Sequence, residues 1–286
     1  MVVIAVTGGK GGTGKTLVAV NLSVLLAENE KTLLVDLDAD NPCVPSLLNV
    51  ELSKMGEVRS FRPVINTDKC TLCGECAKTC PAHALILIPN KLLFIETLCE
   101  GCAACLYICK EGAISEGLRV SGWLLRGGRG KLGVLVAEAR VGERKTDEVA
   151  EEALRKSVEL AENYDWVVLD TPAGTGRIIK RAVDSSDVVL LVTEPTKLGV
   201  YDLKKTYKLV EGKTALVVVS KYGVKGGAYE ELREFLREKA LTSVCIPYDV
   251  RVVKSSAEGR PIVEAYPKSP PAKALGRLAD LVRNLR

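Results

Sequence analysis

The chain has 286 residues, 47% of them hydrophobic, with a formal net charge of +4 and ten cysteines. That length and apolar content allow about two globular domains, no apolar run approaches the roughly 20 residues of a membrane span, and so mild a charge gives no argument for nucleic acid. Met1-Val2-Val3-Ile4 carries no basic region or cleavage pattern, so a cytoplasmic protein is expected, and a secreted disulfide framework does not fit the cysteines.

Val2 to Val6 reads as an apolar strand, and Leu17 to Leu26 follows a helical pattern. Between them stands Gly8-Gly9-Lys10-Gly11-Gly12-Thr13-Gly14-Lys15-Thr16. Strand, glycine loop and helix is the context that makes a G-x-x-x-x-G-K-T match a phosphate-binding loop. Glycines allow positive φ and let several backbone N–H groups point at one anion, while the helix start adds a partial positive charge. Gly9, Gly11, Gly12, Thr13 and Gly14 are therefore expected to cradle the phosphates of ATP. Lys15 would reach the β- and γ-phosphates, and the Thr16 hydroxyl would hold Mg²⁺.

Lys10 adds a second lysine near the start of the loop. With it, the stretch resembles the deviant phosphate loop of the MinD/ParA-type ATPases, a group that also holds the nitrogenase iron protein and the Mrp-type cluster carriers. The resemblance implies an ATP-dependent homodimer in which Lys10 reaches the partner's phosphates and ATP gates closure.

Lys31 to Asp40 reads as a buried parallel strand ending in carboxylates, at the end of the sheet where ligands gather. The Asp36-Leu37-Asp38 pattern resembles the family's first switch. By that match Asp38 orients the attacking water and Asp36 supports the Mg²⁺ region. Phosphoryl transfer needs positioning and charge neutralisation more than a strong base, so an aspartate suffices. Asp40, before Asn41-Pro42, is equally an ordinary turn acid.

From about Ser60 the texture changes. Cys70, Cys73, Cys76 and Cys80-Pro81 make C-x₂-C-x₂-C-x₃-C-P, and the cysteines recur at one constant offset as Cys99, Cys102, Cys105 and Cys109. Ala84-Leu85 and Ala113-Ile114 continue the correspondence, so a small unit is repeated. Thiolates at this spacing fit [4Fe–4S] cubes, the fourth cysteine of each run serving the other cube. One cluster is then expected on Cys70, Cys73, Cys76 and Cys109, the second on Cys99, Cys102, Cys105 and Cys80. Paired zinc sites are the alternative, although zinc usually takes C-x₂-C pairs with a longer spacer. Residues 60–119 resemble a bacterial two-cluster ferredoxin, with Lys110 standing where a second proline is common. His83, the chain's one histidine, reads either as a group tuning a cluster or as a surface residue.

The nucleotide-binding pattern then resumes. Gly133 to Ala137 reads as a strand, Thr146 to Glu162 as a helix, and Trp166 to Asp170 as a second strand ending in a carboxylate. Asp170 would reach Mg²⁺ through water. Asp170-Thr171-Pro172-Ala173-Gly174 resembles the second switch of the MinD group, which implies that the Gly174 amide senses the γ-phosphate. Strands follow at 187–193, 215–219 and 243–246, with helices between them, an alternation that makes a parallel sheet covered on both faces. Ser220-Lys221 stands where the family often carries an Asn-Lys or Asn-Arg pair for the base, and Ile246-Pro247-Tyr248-Asp249 resembles the late loop over the adenine; Lys221, Pro247 and Asp249 are base-side candidates on that resemblance. Arg126 to Lys131 reads as a flexible basic turn or a phosphate contact. The amphipathic run 272–286 reads as a terminal helix packed on the sheet, or as a membrane anchor. Cys43 and Cys245 have no neighbouring ligand and read as small apolar packing residues.

The expected fold is α/β: a doubly wound, mostly parallel P-loop sheet in two parts, 1–59 and 120–286, with an inserted α+β two-cluster ferredoxin-like domain at 60–119. The cofactors implied are ATP, Mg²⁺ and two [4Fe–4S] clusters, with Lys10, Lys15 and Asp38 as the catalytic residues. The function implied is an ATPase dimer that controls electron transfer to a redox protein. The alternative is assembly or carriage of a cluster, with a cofactor-assembly partner. Neither nucleic acid nor a membrane is expected as a partner.

Overall fold

In the computed structural model, which describes residues 1–285, β1 (Val2–Thr7) leads through the glycine loop into α1 (Lys15–Ala27), β2 (Thr32–Asp36) and a short α2 (Val44–Leu48). β3 (Leu52–Ile65) runs out to the cysteine-rich stretch. That stretch holds α3 (Glu75–Thr79), a hairpin of β4 (Leu85–Ile88) and β5 (Lys91–Phe94), and α4 (Ala104–Ile108). β6 (Ile114–Arg129) returns and turns into β7 (Leu132–Ala139). Then follow α5 (Thr146–Leu160), β8 (Trp166–Asp170), α6 (Arg177–Asp184), β9 (Val188–Thr193), α7 (Lys197–Tyr207), β10 (Thr214–Tyr222) and α8 (Tyr229–Glu238). The chain ends with β11 (Thr242–Pro247), α9 (Val250–Ala257), α10 (Ile262–Ala265) and α11 (Pro270–Arg283). Arg286, the end of the amphipathic terminal run, lies outside the described residues.

The main sheet has nine strands in the order β11-β10-β9-β1-β8-β2-β7-β6-β3. Every neighbouring pair from β11 to β7 is parallel, and β6 and β3 add on antiparallel at one edge. Side chains alternate across each strand, so an unbroken apolar run feeds two cores. Leu34, Val168, Leu190 and Val218 face α1 and α11 on one side, while Val35, Leu169, Leu191 and Val219 face α5, α6, α7 and α8 on the other. The sheet is thus doubly wound and mostly parallel, and its carboxyl edge gathers the glycine loop, Asp36 and Asp170.

The apolar face of α11 is Leu275, Leu278 and Val282, all fully buried in the first core. Arg283 donates to the Leu25 carbonyl at 2.7 Å and fixes the helix on α1. The terminal run is therefore a packing helix, and among the described residues no helix is long and apolar enough to cross a membrane. Arg126 to Arg129 complete β6 rather than forming a loose basic loop; the turn is Gly130-Lys131, with Gly130 at φ 55. Cys245 packs against the second core as expected, but Cys43 does not: it is exposed, its Sγ facing the Asn41 carbonyl at 3.2 Å.

β3 and β6 pair from Leu52↔Gly127 out to Ile65↔Ile114, whereas β6 pairs with β7 only over Gly122 to Arg129. The outer half of this ribbon therefore outgrows the sheet and carries the cysteine-rich stretch at its tip. Both strands run through positions 60 and 119. The stretch has a small core of its own, with Cys76, Leu85, Cys105 and Ile114 at its centre and Phe61, Ile65, Leu92 and Phe94 around them. The repeat is visible in the backbone. Left-handed residues occur at Leu72, Gly74 and His83, and again, at the offset of the cysteines, at Gly101, Ala103 and Gly112.

Candidate functional site

The glycine loop is shaped by close approach at its start and by backbone sign at its end. A Cβ on Gly8 would lie 2.4 Å from the Val192 carbonyl oxygen, and one on Gly9 2.5 Å from the Asp202 side chain. Gly12 and Gly14 take φ 75 and 94, which L side chains rarely adopt, whereas Gly11 and Gly12 face open space. Gly14 is the N-cap of α1, so the first helical amides face the loop. Lys15 is buried, and its Nζ donates to the Lys10 carbonyl at 3.0 Å. Burial lowers its pKa, against the pull of Asp170 and Asp38. Thr13 is buried, and the Ser220 hydroxyl reaches its carbonyl at 2.6 Å.

Asp36 and Asp170 stand opposite one another at the ends of β2 and β8. Burial pushes Asp36 up to about 7, against the backbone hydrogen bonds it accepts. Those come from Asp38 N at 3.1 Å, Cys43 N at 3.0 Å and Val44 N at 3.1 Å, so its carboxylate ties down the loop after β2. Asp170, 1% exposed, is raised by burial and by the Asp36 charge, against a hydrogen bond from Thr16. Its Oδ1 is buried without a hydrogen-bond partner. A carboxylate oxygen left bare beside a second carboxylate and the Thr16 hydroxyl fits a divalent cation, whose charge would offset the cost of burial. Asp38 is half-buried; burial raises its pKa, and Lys15 counters that. The Gly174 amide, at φ 111, donates to the Gly8 carbonyl at 3.3 Å, so the stretch after β8 lies against the start of the loop.

Two base-side candidates brace other groups. Lys221 Nζ donates to the Gly12 carbonyl at 2.9 Å and to Glu194 at 2.8 Å. Asp249 caps α9 by accepting from Arg251 N at 2.9 Å and pairs with the Arg251 guanidinium at 2.6 Å. Pro247 ends β11 in register with Tyr222, at the same carboxyl edge of the sheet. Glu194, which the sequence reading passed over, bridges Lys10 and Lys221. The signal was present: it is a strand-end carboxylate, like Asp36 and Asp170, following the apolar run of β9.

The eight cysteines of the repeated motif fall into two sets. Cys70, Cys73, Cys76 and Cys109 line one small pocket of ≈ 20 Å³, together with Leu72, Leu87 and Leu92. Cys80, Cys99, Cys102 and Cys105 line another of ≈ 20 Å³, with Phe61, Pro63 and Phe94. The last cysteine of each run thus lines the void of the other. Burial pushes up the thiols of Cys76 and Cys105, the latter to about 11, and the neighbouring cysteines add to it. Backbone N–H groups already point at sulfur: Ala84 N lies 3.3 Å from Cys80 Sγ, and Gly101 N 3.4 Å from Cys99 Sγ. Among the described residues no three His, Cys, Asp or Glu side chains converge as a site for one metal ion. His83 is exposed, on the left-handed residue that matches Gly112.

The family model described as the CobQ/CobB/MinD/ParA nucleotide binding domain matches residues 4–262. An uncharacterized protein of Methanocaldococcus jannaschii, MJ0579, is 35% identical over 269 residues, which cover 91% of this chain and 90% of that one. An iron-sulfur cluster carrier protein of Aquifex aeolicus is 25% identical over 300 residues, covering 98% of this chain and 66% of the carrier. The fold is similar to that of the cell division ATPase MinD of Pyrococcus furiosus, with a TM-score of 0.63, 22% identity and 99% of each chain covered. With its glycine loop, paired strand-end carboxylates and doubly wound sheet, the chain belongs to the CobQ/CobB/MinD/ParA nucleotide-binding family and is a P-loop ATPase.

Proposed function

We propose that this ATPase is an ATP-gated homodimer that controls how an inserted, two-cluster ferredoxin-like domain, residues 60–119, engages a redox partner. The observation that carries the reading is the division of eight thiols into two sets of four, each around its own void, with Cys109 and Cys80 exchanged between runs. That exchange is the wiring of a two-cluster ferredoxin. The compact triple of cysteines plus a fourth from the other run suits a cube better than zinc, which usually takes C-x₂-C pairs with a longer spacer. Cys70, Cys73, Cys76 and Cys109 would hold one [4Fe–4S] cluster, and Cys80, Cys99, Cys102 and Cys105 the other. Bound clusters would supply one-electron transfer. The thiols must lose their protons to ligate, and the N–H groups aimed at Cys80 and Cys99 favour the thiolate.

In the ATPase half, the loop amides and Lys15 would hold the phosphates, with Thr16 and Asp170 on Mg²⁺ and Asp38 orienting water. Lys10 would reach across to the partner subunit's nucleotide. These are positioning and charge-neutralising roles, which is what phosphoryl transfer asks of a protein. The test is anaerobic purification with iron and sulfide counts. Full occupancy of both sets is expected, with Cys76→Ser and Cys105→Ser each lowering the iron content by about half if a lost ligand costs one cluster. Zinc in place of iron would overturn the reading.

The similarity to an iron-sulfur cluster carrier favours a second reading, in which clusters are delivered rather than retained. Quantitative transfer of iron and sulfide to an apo-acceptor would establish it. Clusters that stay bound through repeated ATP turnover would exclude it.

A further inference from the structure

Three lysines converge on the glycine loop, and one carboxylate answers two of them. Glu194 Oε1 pairs with Lys10, and Oε2 pairs with Lys221 at 2.8 Å. Lys221 reaches over to the Gly12 carbonyl at 2.9 Å, so the carboxylate sits against the cradle itself. The Glu194 side chain is only 9% exposed. It is held in place: the Thr196 hydroxyl lies 3.3 Å from Oε1, and Thr196 N donates to the Glu194 carbonyl at 2.8 Å. Gly199 lets α7 pass so close that a Cβ there would meet the Glu194 carbonyl oxygen at 2.2 Å. An anionic group presenting two oxygens to two ammonium groups is what a phosphate would present at this place.

We propose that Glu194 is an internal competitor for phosphate, which occupies Lys10 and Lys221 and yields them to the triphosphate, and thereby sets the affinity of the site for ATP. The proposal rests on the glycine loop binding ATP. A fixed carboxylate subtracts from the positive potential of the cradle and opposes an incoming polyanion. Lys10, 28% exposed, has room to swing away from it. Because Lys10 is also the lysine expected to serve the partner's phosphates, the same carboxylate restrains closure of the dimer until nucleotide draws the lysine off.

A brace and a competitor predict opposite signs. If Glu194 only stiffened the loop, neutralising it would weaken nucleotide binding. As a competitor, Glu194→Gln binds Mg-ATP more tightly, by at least about fivefold, the worth of one unit charge some 4 Å away at the dielectric of water, the weakest case. Calorimetric titration measures this. The gain falls with added salt, and it shrinks in a Lys10→Ala background, where the competitor has less to hold. If the glutamine variant fails to fold, Glu194→Asp replaces it. It keeps the charge but is too short to span both lysines, and a smaller gain is expected. Unchanged or weaker ATP binding by the folded variant overturns the competitor role while the wild type still binds ATP. A wild type that binds no ATP overturns the loop reading, and the proposal falls with it.

Discussion

Asp36 and Asp170 are neighbours in register, yet their oxygens are used differently. Asp36 spends its carboxylate on the amides of Asp38, Cys43 and Val44, whereas Asp170 keeps one oxygen bare beneath the loop. The first therefore shapes the loop after β2, and the second is the better cation ligand. Asp170→Asn keeps the shape and removes the charge. Mg-dependent ATP turnover is expected to fall by about 10²–10³, the typical cost of deleting one preorganised electrostatic contact. Thermal stability without Mg²⁺ should hold or rise, because the charge that burial opposes is gone. Steady-state rates and melting curves, each with and without Mg²⁺, check both halves; an undiminished rate would remove Asp170 from the site. Lys15→Ala is expected to cost at least as much turnover, since Lys15 is the buried cation of the glycine loop. Normal hydrolysis by that variant would refute the loop assignment.

At the scale of elements, the parallel strands and the glycine loop were legible in the sequence and the ribbon was not. A strand covered on both faces is an unbroken apolar run such as Val188 to Val192, and a phosphate loop fixes residue types over a few adjacent positions. β3 and β6 mix Lys54, Arg59, Arg62 and Pro63 with Arg119 and Gly117, and their pairing joins residues far apart in the chain. No local period reveals such a ribbon, because part of it faces solvent and part faces a thiol-lined void. Within the cysteine repeat, spacing gave the two sets of thiols but not the backbone that presents them. Ala103 sits at φ 59 where its counterpart is Gly74, while Leu72 and His83 are left-handed where the second run has Gly101 and Gly112, so each half carries strain at a position the other gives to glycine. Ala103→Gly should raise the stability of this unit by up to about 1 kcal/mol, relief of the left-handed penalty less the added chain entropy. Gly101→Ala should lower it, since its Cβ would press within 3.2 Å of the Phe61 carbonyl oxygen at φ 70. Thermal unfolding of the two anaerobically prepared variants tests the pair, and equal effects of the same sign would contradict the account.

Across the whole molecule, a short segment after β7 connects the nucleotide end of the sheet with the cysteine-rich stretch. Ala139 N donates to the Ala39 carbonyl at 2.8 Å, next to Asp38. Four residues later Glu143, its side chain 2% exposed, accepts from Arg62 at 3.1 Å and pairs with Arg119. Arg119 goes on to Glu96 at 2.9 Å, in the turn before Cys99, while Arg62 lies against Gly101, between Cys99 and Cys102. Residues 139–143 thus bond to Ala39, the neighbour of the aspartate expected to face the γ-phosphate, and through Arg62 and Arg119 reach the turn that presents two thiols of the second set. A displacement of the loop after β2 has a direct purchase on that turn, because a buried carboxylate between two guanidiniums resists being parted, at a cost of about 3–5 kcal/mol. Hydrogen exchange should then show ATP altering protection at residues 38–41 and at 96–102 together. In Glu143→Gln the first response is expected to persist and the second to vanish, with ATP turnover retained, because the substitution cuts the link and leaves the nucleotide site whole. If ATP in the wild type changes protection only around the glycine loop and 38–41, the segment 139–143 is a strut and not a coupling.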